Sequence, residues 1–142
     1  FRQKPIVSLF PHAKEKDVAI IVRLPLASGL LSGKIKKDTQ FAATDHRSYN
    51  RDGQQFSVGE TFAGLPFEKG VELAEDLKDF VPQALTMAQF AQRWILDHEE
   101  VSVIIPGATS AAARTSGELL SGQGVSFHSW PVLSGILPAT FF

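Results

Sequence analysis

Cysteine is absent from the 142-residue chain, so disulfide frameworks and thiolate metal sites are excluded at the outset. No apolar run reaches the roughly twenty residues a membrane-spanning helix requires, and no membrane role is expected. A basic surplus is also lacking: 14 Lys and Arg stand against 15 Asp and Glu, a formal charge of −1. A protein that holds nucleic acid by neutralising phosphates would carry such a surplus, so no nucleic-acid partner is expected. The opening Phe1-Arg2-Gln3-Lys4-Pro5 has neither an initiator Met nor the apolar stretch of a signal peptide. We expect a piece of something longer, working in the cytoplasm.

Apolar residues make up 44% of the chain and charged residues 20%, enough for one domain with a packed core. The charge is uneven. Beyond residue 110 only Arg114 and Glu118 are charged, and the stretch from Val125 to Phe142 carries no charge unless His128 is protonated. Pro131, Pro138 and scattered serines interrupt its apolar residues, so neither a helix nor a strand period emerges. The tail reads either as an irregular apolar segment covered by a partner or as sequence foreign to what precedes it.

Earlier in the chain an αβ rhythm is visible. Pro5 suits the first turn of a helix, and Ile6, Leu9, Phe10 and Ala13 make an amphipathic stripe that Pro11 should kink or shorten. Val18-Ala19-Ile20-Ile21-Val22 reads as a strand buried on both faces and ends in the turn-rich run from Arg23 to Gly29. Residues 34–67 are long, polar and rich in turn residues, as functional or disordered loops are. A helix follows on Val71, Leu73, Ala74, Leu77 and Phe80, closed by Pro82. In a second helix Thr86 and Gln89 have capping-box spacing before Phe90, Ala91, Trp94 and Ile95. Val101-Ser102-Val103-Ile104-Ile105 reads as another buried strand, ending at Pro106-Gly107-Ala108-Thr109-Ser110.

Much familiar chemistry is missing. There is no Gly-x-Gly-x-x-Gly after a strand, no Gly-Lys-Ser/Thr phosphate loop and no His-Glu-x-x-His. His12, His46, His98 and His128 lack ligand spacing and read as surface or loop residues, so no metal site is expected. Glu72, Glu75, Asp76 and Asp79 read as a solvated helix face. The two turns at the strand ends are better candidates, because α/β folds bind ligands there. In the first, small residues allow close approach to the backbone, and Lys34 offers a point charge to a phosphate. In the second, the free N–H groups of a following helix would favour an anion.

At these turns the sequence resembles a known family. The run Val22-Arg23-Leu24-Pro25-Leu26-Ala27-Ser28-Gly29-Leu30-Leu31-Ser32-Gly33-Lys34 is similar to the seventh-strand motif of the aldo/keto reductases. Phe41, Asp45-His46-Arg47 and Phe62-Ala63-Gly64 resemble that family's long loop. Residues 88–96 resemble its penultimate helix, and Val103-Ile104-Ile105-Pro106-Gly107-Ala108 its eighth strand and turn.

The resemblance implies an α/β fold, an incomplete (β/α)8 TIM barrel of which residues 1–110 are the C-terminal part with the seventh and eighth strands. Such a barrel takes ~250 residues. Residues 111–142 are then a divergent apolar tail, for which disorder is one expectation. The implied activity is NADP-dependent reduction of small-molecule carbonyls. The family's catalytic Asp, Tyr, Lys and His lie in the missing half, so the chain alone is expected to be inactive. Carried over by motif, Arg23 would lie beside the nicotinamide. Leu24, Pro25, Leu26, Ala27 and Ser28 would border the pyrophosphate, with Lys34 reaching a phosphate and Arg47 at the adenosine end. Gly107 and Thr109 would meet the adenosine phosphate. The family's following Pro, Glu, Gln and Asn are here Ala111, Ala112, Ala113 and Gly117, which offer no side-chain hydrogen bonds to adenine. Two other readings stay open: a noncatalytic interaction module whose exposed barrel edges need a partner, and a truncated product without function.

Overall fold

Pro5 and Pro11 divide the N-terminal segment into two short helices, α1 (Lys4–Ser8) and α2 (Phe10–Glu15). Each proline lies in a first turn, where the missing N–H has no intrahelical partner to lose. The computed structural model describes residues 1–107. The described residues divide into two units, one formed by residues 1–25 with 91–107, the other by Leu26–Phe90. Thr109 and the tail, including Ala111, Ala112, Ala113 and Gly117, lie outside the described residues.

In the first unit, α2 turns at Asp17, which adopts a positive φ of 53°, into β1 (Ile20–Arg23). Beside it and parallel to it lies β2 (Val101–Ile105), with Ile21 opposite Val103, Val22 opposite Ile104 and Arg23 opposite Ile105. Phe10, Ala13 and Ile20 form the core, with Ile6, Val22 and Val101 packed against it. Leu9, expected on the same stripe, is exposed, because the break between α1 and α2 falls on it.

The strands also depart from expectation. Both read as buried on two faces, yet Ile20 is 9% exposed and Ile21 60%, and Val103 and Ile105 are exposed as well. A continuous apolar run reports burial on both faces, whereas the pleat sends alternate side chains to opposite sides. Among the described residues only one side is covered.

The second unit opens with a 3₁₀ segment, Ala27–Ser32, and includes α3 (His46–Tyr49) and α4 (Phe67–Leu77). Helix α4 begins where the polar stretch was expected to end and buries Phe67, Gly70, Val71, Leu73, Ala74 and Leu77; Phe80, expected on the same face, falls in a 3₁₀ turn after it. Its acidic face is solvated as expected, with Glu72 paired to Lys69 and Glu75 to Lys78, each at 2.6 Å. At Gly70 a Cβ would stand 2.6 Å from Leu30 Cδ1. Glycine is what lets α4 approach the 3₁₀ segment this closely. The predicted capping box opens α5 (Met87–Leu96): Thr86 Oγ1 accepts from Gln89 N at 3.2 Å, and Gln89 Oε1 accepts from Thr86 N at 2.9 Å.

Residues 34–67, polar by composition, carry a core of their own. Asn50, Thr61 and Phe62 have no solvent exposure. Asn50 Oδ1 accepts from Gln55 N (2.9 Å) and Phe56 N (2.8 Å), and its Nδ2 donates to Thr61 Oγ1 (3.1 Å). One buried amide thus pairs with three polar groups, the buried Thr61 hydroxyl and the part-buried N–H groups of Gln55 and Phe56. Beside it the rings of Phe41, Phe62 and Phe67 meet at centroid separations of 5.0–6.0 Å.

Candidate cofactor-binding turns

The strand ends and the 3₁₀ turn supply two sets of candidate positions. In the first unit, parallel pairing brings the C-terminal ends of β1 and β2 side by side. Arg23 lies opposite Ile105, two residues before Gly107. Leu24 leaves β1 with φ 54° and stays largely exposed, while Pro25 is buried. At Gly107 an added Cβ would meet nothing within 4 Å, so its backbone is open to approach. The neighbouring strand ends thus share one edge of the sheet, as the α/β rule for ligand sites requires.

A cleft of about 280 Å³ lies at the opposite, N-terminal ends of the same strands, lined by Asp17, Ala19, Glu100 and Ser102 among others, with Lys14 salt-bridged to Glu99 at its rim. It contains none of the predicted site residues. It is a charged surface hollow rather than a continuation of the turns.

The second set lies in the 26–90 unit. Ala27 and Ser28 both take left-handed backbone angles (φ 48° and 56°), as do Phe62 and Ala63 (φ 49° and 57°). Such angles cost L-residues roughly 1–2 kcal/mol each, so the surroundings must impose them. Ser28 supplies the tie: its Oγ accepts from Phe62 N at 3.2 Å and donates to Glu60 O at 3.4 Å. The hydroxyl expected to border a ligand is therefore engaged in holding two strained turns together. Leu26 and Ser28 are half-buried, Ala27 is buried, and Lys34 is exposed with its backbone N–H on Ser32 Oγ.

Arg47 meets this turn. A Cβ on Gly29 would lie 3.5 Å from Arg47 Nη1 and 3.2 Å from Ile35 Cδ1, and Gly29 itself has φ 99°. Glycine is demanded here by conformation and by space. Arg47 is fixed by Asp45, the N-cap of α3. Asp45 Oδ1 accepts from Arg47 N (2.9 Å) and Nε (3.0 Å), and Oδ2 accepts from Nη2 (2.6 Å). This fork-to-fork pairing holds the Asp45 carboxyl down to about 2. The guanidinium also covers the Phe41 ring at 4.4 Å.

Sequence reasoning missed Arg51. It follows Arg47 by four residues, the spacing that puts side chains on one face of a helical turn, and that spacing was the available signal. Its Nε donates to Arg47 O at 3.3 Å, and its guanidinium stacks 4.5 Å from the Phe67 centroid. Among the described residues no group of three or more His, Cys, Asp or Glu side chains is arranged to hold a metal. His98 packs edge-on against Trp94 and Phe10, with Nδ1 2.9 Å from Trp94 O.

Comparison with known proteins supplies the family. The family model for the aldo/keto reductase family matches residues 3–115. The chain belongs to the aldo/keto reductase family. That family comprises oxidoreductases built on a (β/α)8 barrel that use NAD(P)H and act on small-molecule carbonyls. Among solved structures, the chain is similar to a glycerol dehydrogenase from Gluconobacter oxydans, with a TM-score of 0.55 and 19% identity. The match covers 82% of this aldo/keto reductase chain and 38% of that one, so this chain spans well under half the neighbour's length. At that identity the likeness speaks for the fold alone. A search of curated proteins gives no match. Among the described residues no helix is long and apolar enough to cross a membrane.

Proposed function

We propose that this chain is the C-terminal part of an NADP-dependent aldo/keto reductase barrel, carrying part of the cofactor cleft and no turnover of its own. The observation that carries this reading is the strained turn at residues 26–34 with Arg47 Nη1 against Gly29. It combines an imposed backbone conformation with a cation held beside it. Those are the properties a site for a dinucleotide pyrophosphate needs. Within the 26–90 unit, Leu26, Ala27 and Ser28 would border the phosphates, with Lys34 and Arg47 beside them; for Arg23, Leu24, Pro25 and Gly107 of the other unit, a cofactor role rests on the family resemblance alone.

When bound, the dinucleotide supplies the hydride for a carbonyl carbon. The chain's own residues bind and orient. We assign none of them the delivery of the accompanying proton. Tyr49, the sequence's single tyrosine, packs its ring on Phe56 at 6.2 Å.

The test is titration of the chain with NADPH by calorimetry, followed by a carbonyl-reduction assay with NADPH and simple aldehydes. Saturable binding without turnover is expected. Robust turnover would overturn the inactivity, and absence of any dinucleotide binding would overturn the cofactor reading. A second reading rests on the exposed face of Ile21, Val103 and Ile105. That face and the strand edges left unpaired among the described residues suit an interaction module that is covered by a partner. A stable, soluble monomer in size-exclusion chromatography would count against it.

A further inference from the structure

Arg51 is a half-buried cation with an incomplete set of partners. Its Nε is anchored on Arg47 O, and one face of its guanidinium lies on Phe67, with the Phe41 centroid 5.9 Å away. The nearest carboxylates in sequence are engaged elsewhere. Asp45 is held by Arg47, and Asp52 exchanges hydrogen bonds with Gln54. Among the described residues no carboxylate forms an ion pair with Arg51. Its Nη1 and Nη2 edge therefore has four N–H donors with no protein acceptor among those residues.

Stacking and the Nε anchor hold the plane of this guanidinium without using its fork. Stacking also removes water from one face, which strengthens whatever the edge binds. A fork so oriented matches two oxygens of a phosphoryl group, and part of its rotamer entropy is already lost. We propose that Arg51 is a phosphoryl-binding residue, its Nη edge receiving a phosphate of a ligand seated on the Gly29 turn. Through Arg47 the two features are contiguous, since Arg47 Nη1 faces Gly29 and Arg47 O holds Arg51.

The identity of the phosphate's owner rests on the dinucleotide reading; the phosphoryl chemistry does not. Two sources are compatible with it, the pyrophosphate and a ribose phosphate monoester. Calorimetric titration of wild type, Arg51→Gln and Arg51→Lys with inorganic phosphate, ADP, adenosine 2′,5′-bisphosphate and NADPH separates them. The exposed-face variant Asp76→Asn serves as control, and thermal melts of every variant separate lost binding from lost folding.

Arg51→Gln should weaken phosphoryl binding by about tenfold or more, with Arg51→Lys in between because it keeps charge but not the fork. A loss confined to the bisphosphate and NADPH assigns Arg51 to the monoester, and an equal loss with ADP assigns it to the pyrophosphate. Unchanged binding in a folded Arg51→Gln protein overturns the proposal and leaves the dinucleotide reading standing. Arg51-dependent binding of inorganic phosphate with no NADPH binding has the opposite effect. If no probe binds wild type, both ideas fall.

Discussion

The two units divide burial in a way their composition does not announce. The strand pair is made of the most apolar runs in residues 1–107, yet it leaves Ile21, Val103 and Ile105 open. The polar segment between them encloses Asn50, Thr61 and Phe62 completely. Apolar content measures what a segment needs to have covered, and local hydrogen bonding decides what it can cover for itself. Residues 34–67 succeed because one asparagine satisfies three polar groups at the loop's centre while three aromatic rings fill the space beside it.

Phe62→Ala should cut deepest into this contrast. It removes a ring with no solvent exposure from the aromatic cluster, and the expected loss is about 3–5 kcal/mol in chemical denaturation. A loss under 1 kcal/mol would mean the loop core is not a core. Asn50→Ala should follow at about 2–3 kcal/mol, because the amides of Gln55 and Phe56 and the Thr61 hydroxyl lose their partner. Hydrogen exchange should show those two amides losing protection first.

The Asp45–Arg47 pair is smaller. It is partly exposed, so its contribution is at most about 1 kcal/mol. Because the folded carboxyl titrates at about 2 against an ordinary 3.8, that contribution is complete above the ordinary value and fades as pH falls through about 2. An NMR titration giving Asp45 an ordinary carboxylate midpoint would contradict the pairing. Ile21→Ala should change the stability of this chain by no more than about 0.5 kcal/mol, while Ile20→Ala in the core costs about 2–4. Equal effects at the two positions would show that the outer face is covered after all.

Much of the fold was legible, and the reasons differ by element. Pro5 marked the N-terminal helical start and Pro11 the place of its interruption, because proline's geometry is local, although the expected single kinked helix is two short ones. The capping box marked the start of α5, since Thr86 and Gln89 satisfy each other within one turn. The strand runs located β1 to within two residues and β2 at its observed bounds, but apolar alternation is invisible in a continuous β-branched run, so the open face was not. In the site, small residues and Gly29 pointed to the turn, while the pairing of Asp45 with Arg47 was not read from the sequence. The engagement of the Ser28 hydroxyl with Phe62 and Glu60 depends on residues more than thirty positions away, and no local pattern encodes that. Arg51 was hidden for the same reason, because its meaning comes from Phe67.

The parallel pairing of β1 with β2 also has a kinetic consequence. Ile20 meets Val101 only after everything between them has been made, whereas Leu26–Phe90 is one continuous stretch. Closing so long a separation is entropically slow, and contacts within a continuous stretch form early. On a ribosome the middle segment can therefore acquire its structure while the first strand still waits for its neighbour, leaving that strand's edge bare for as long as translation of the intervening residues takes.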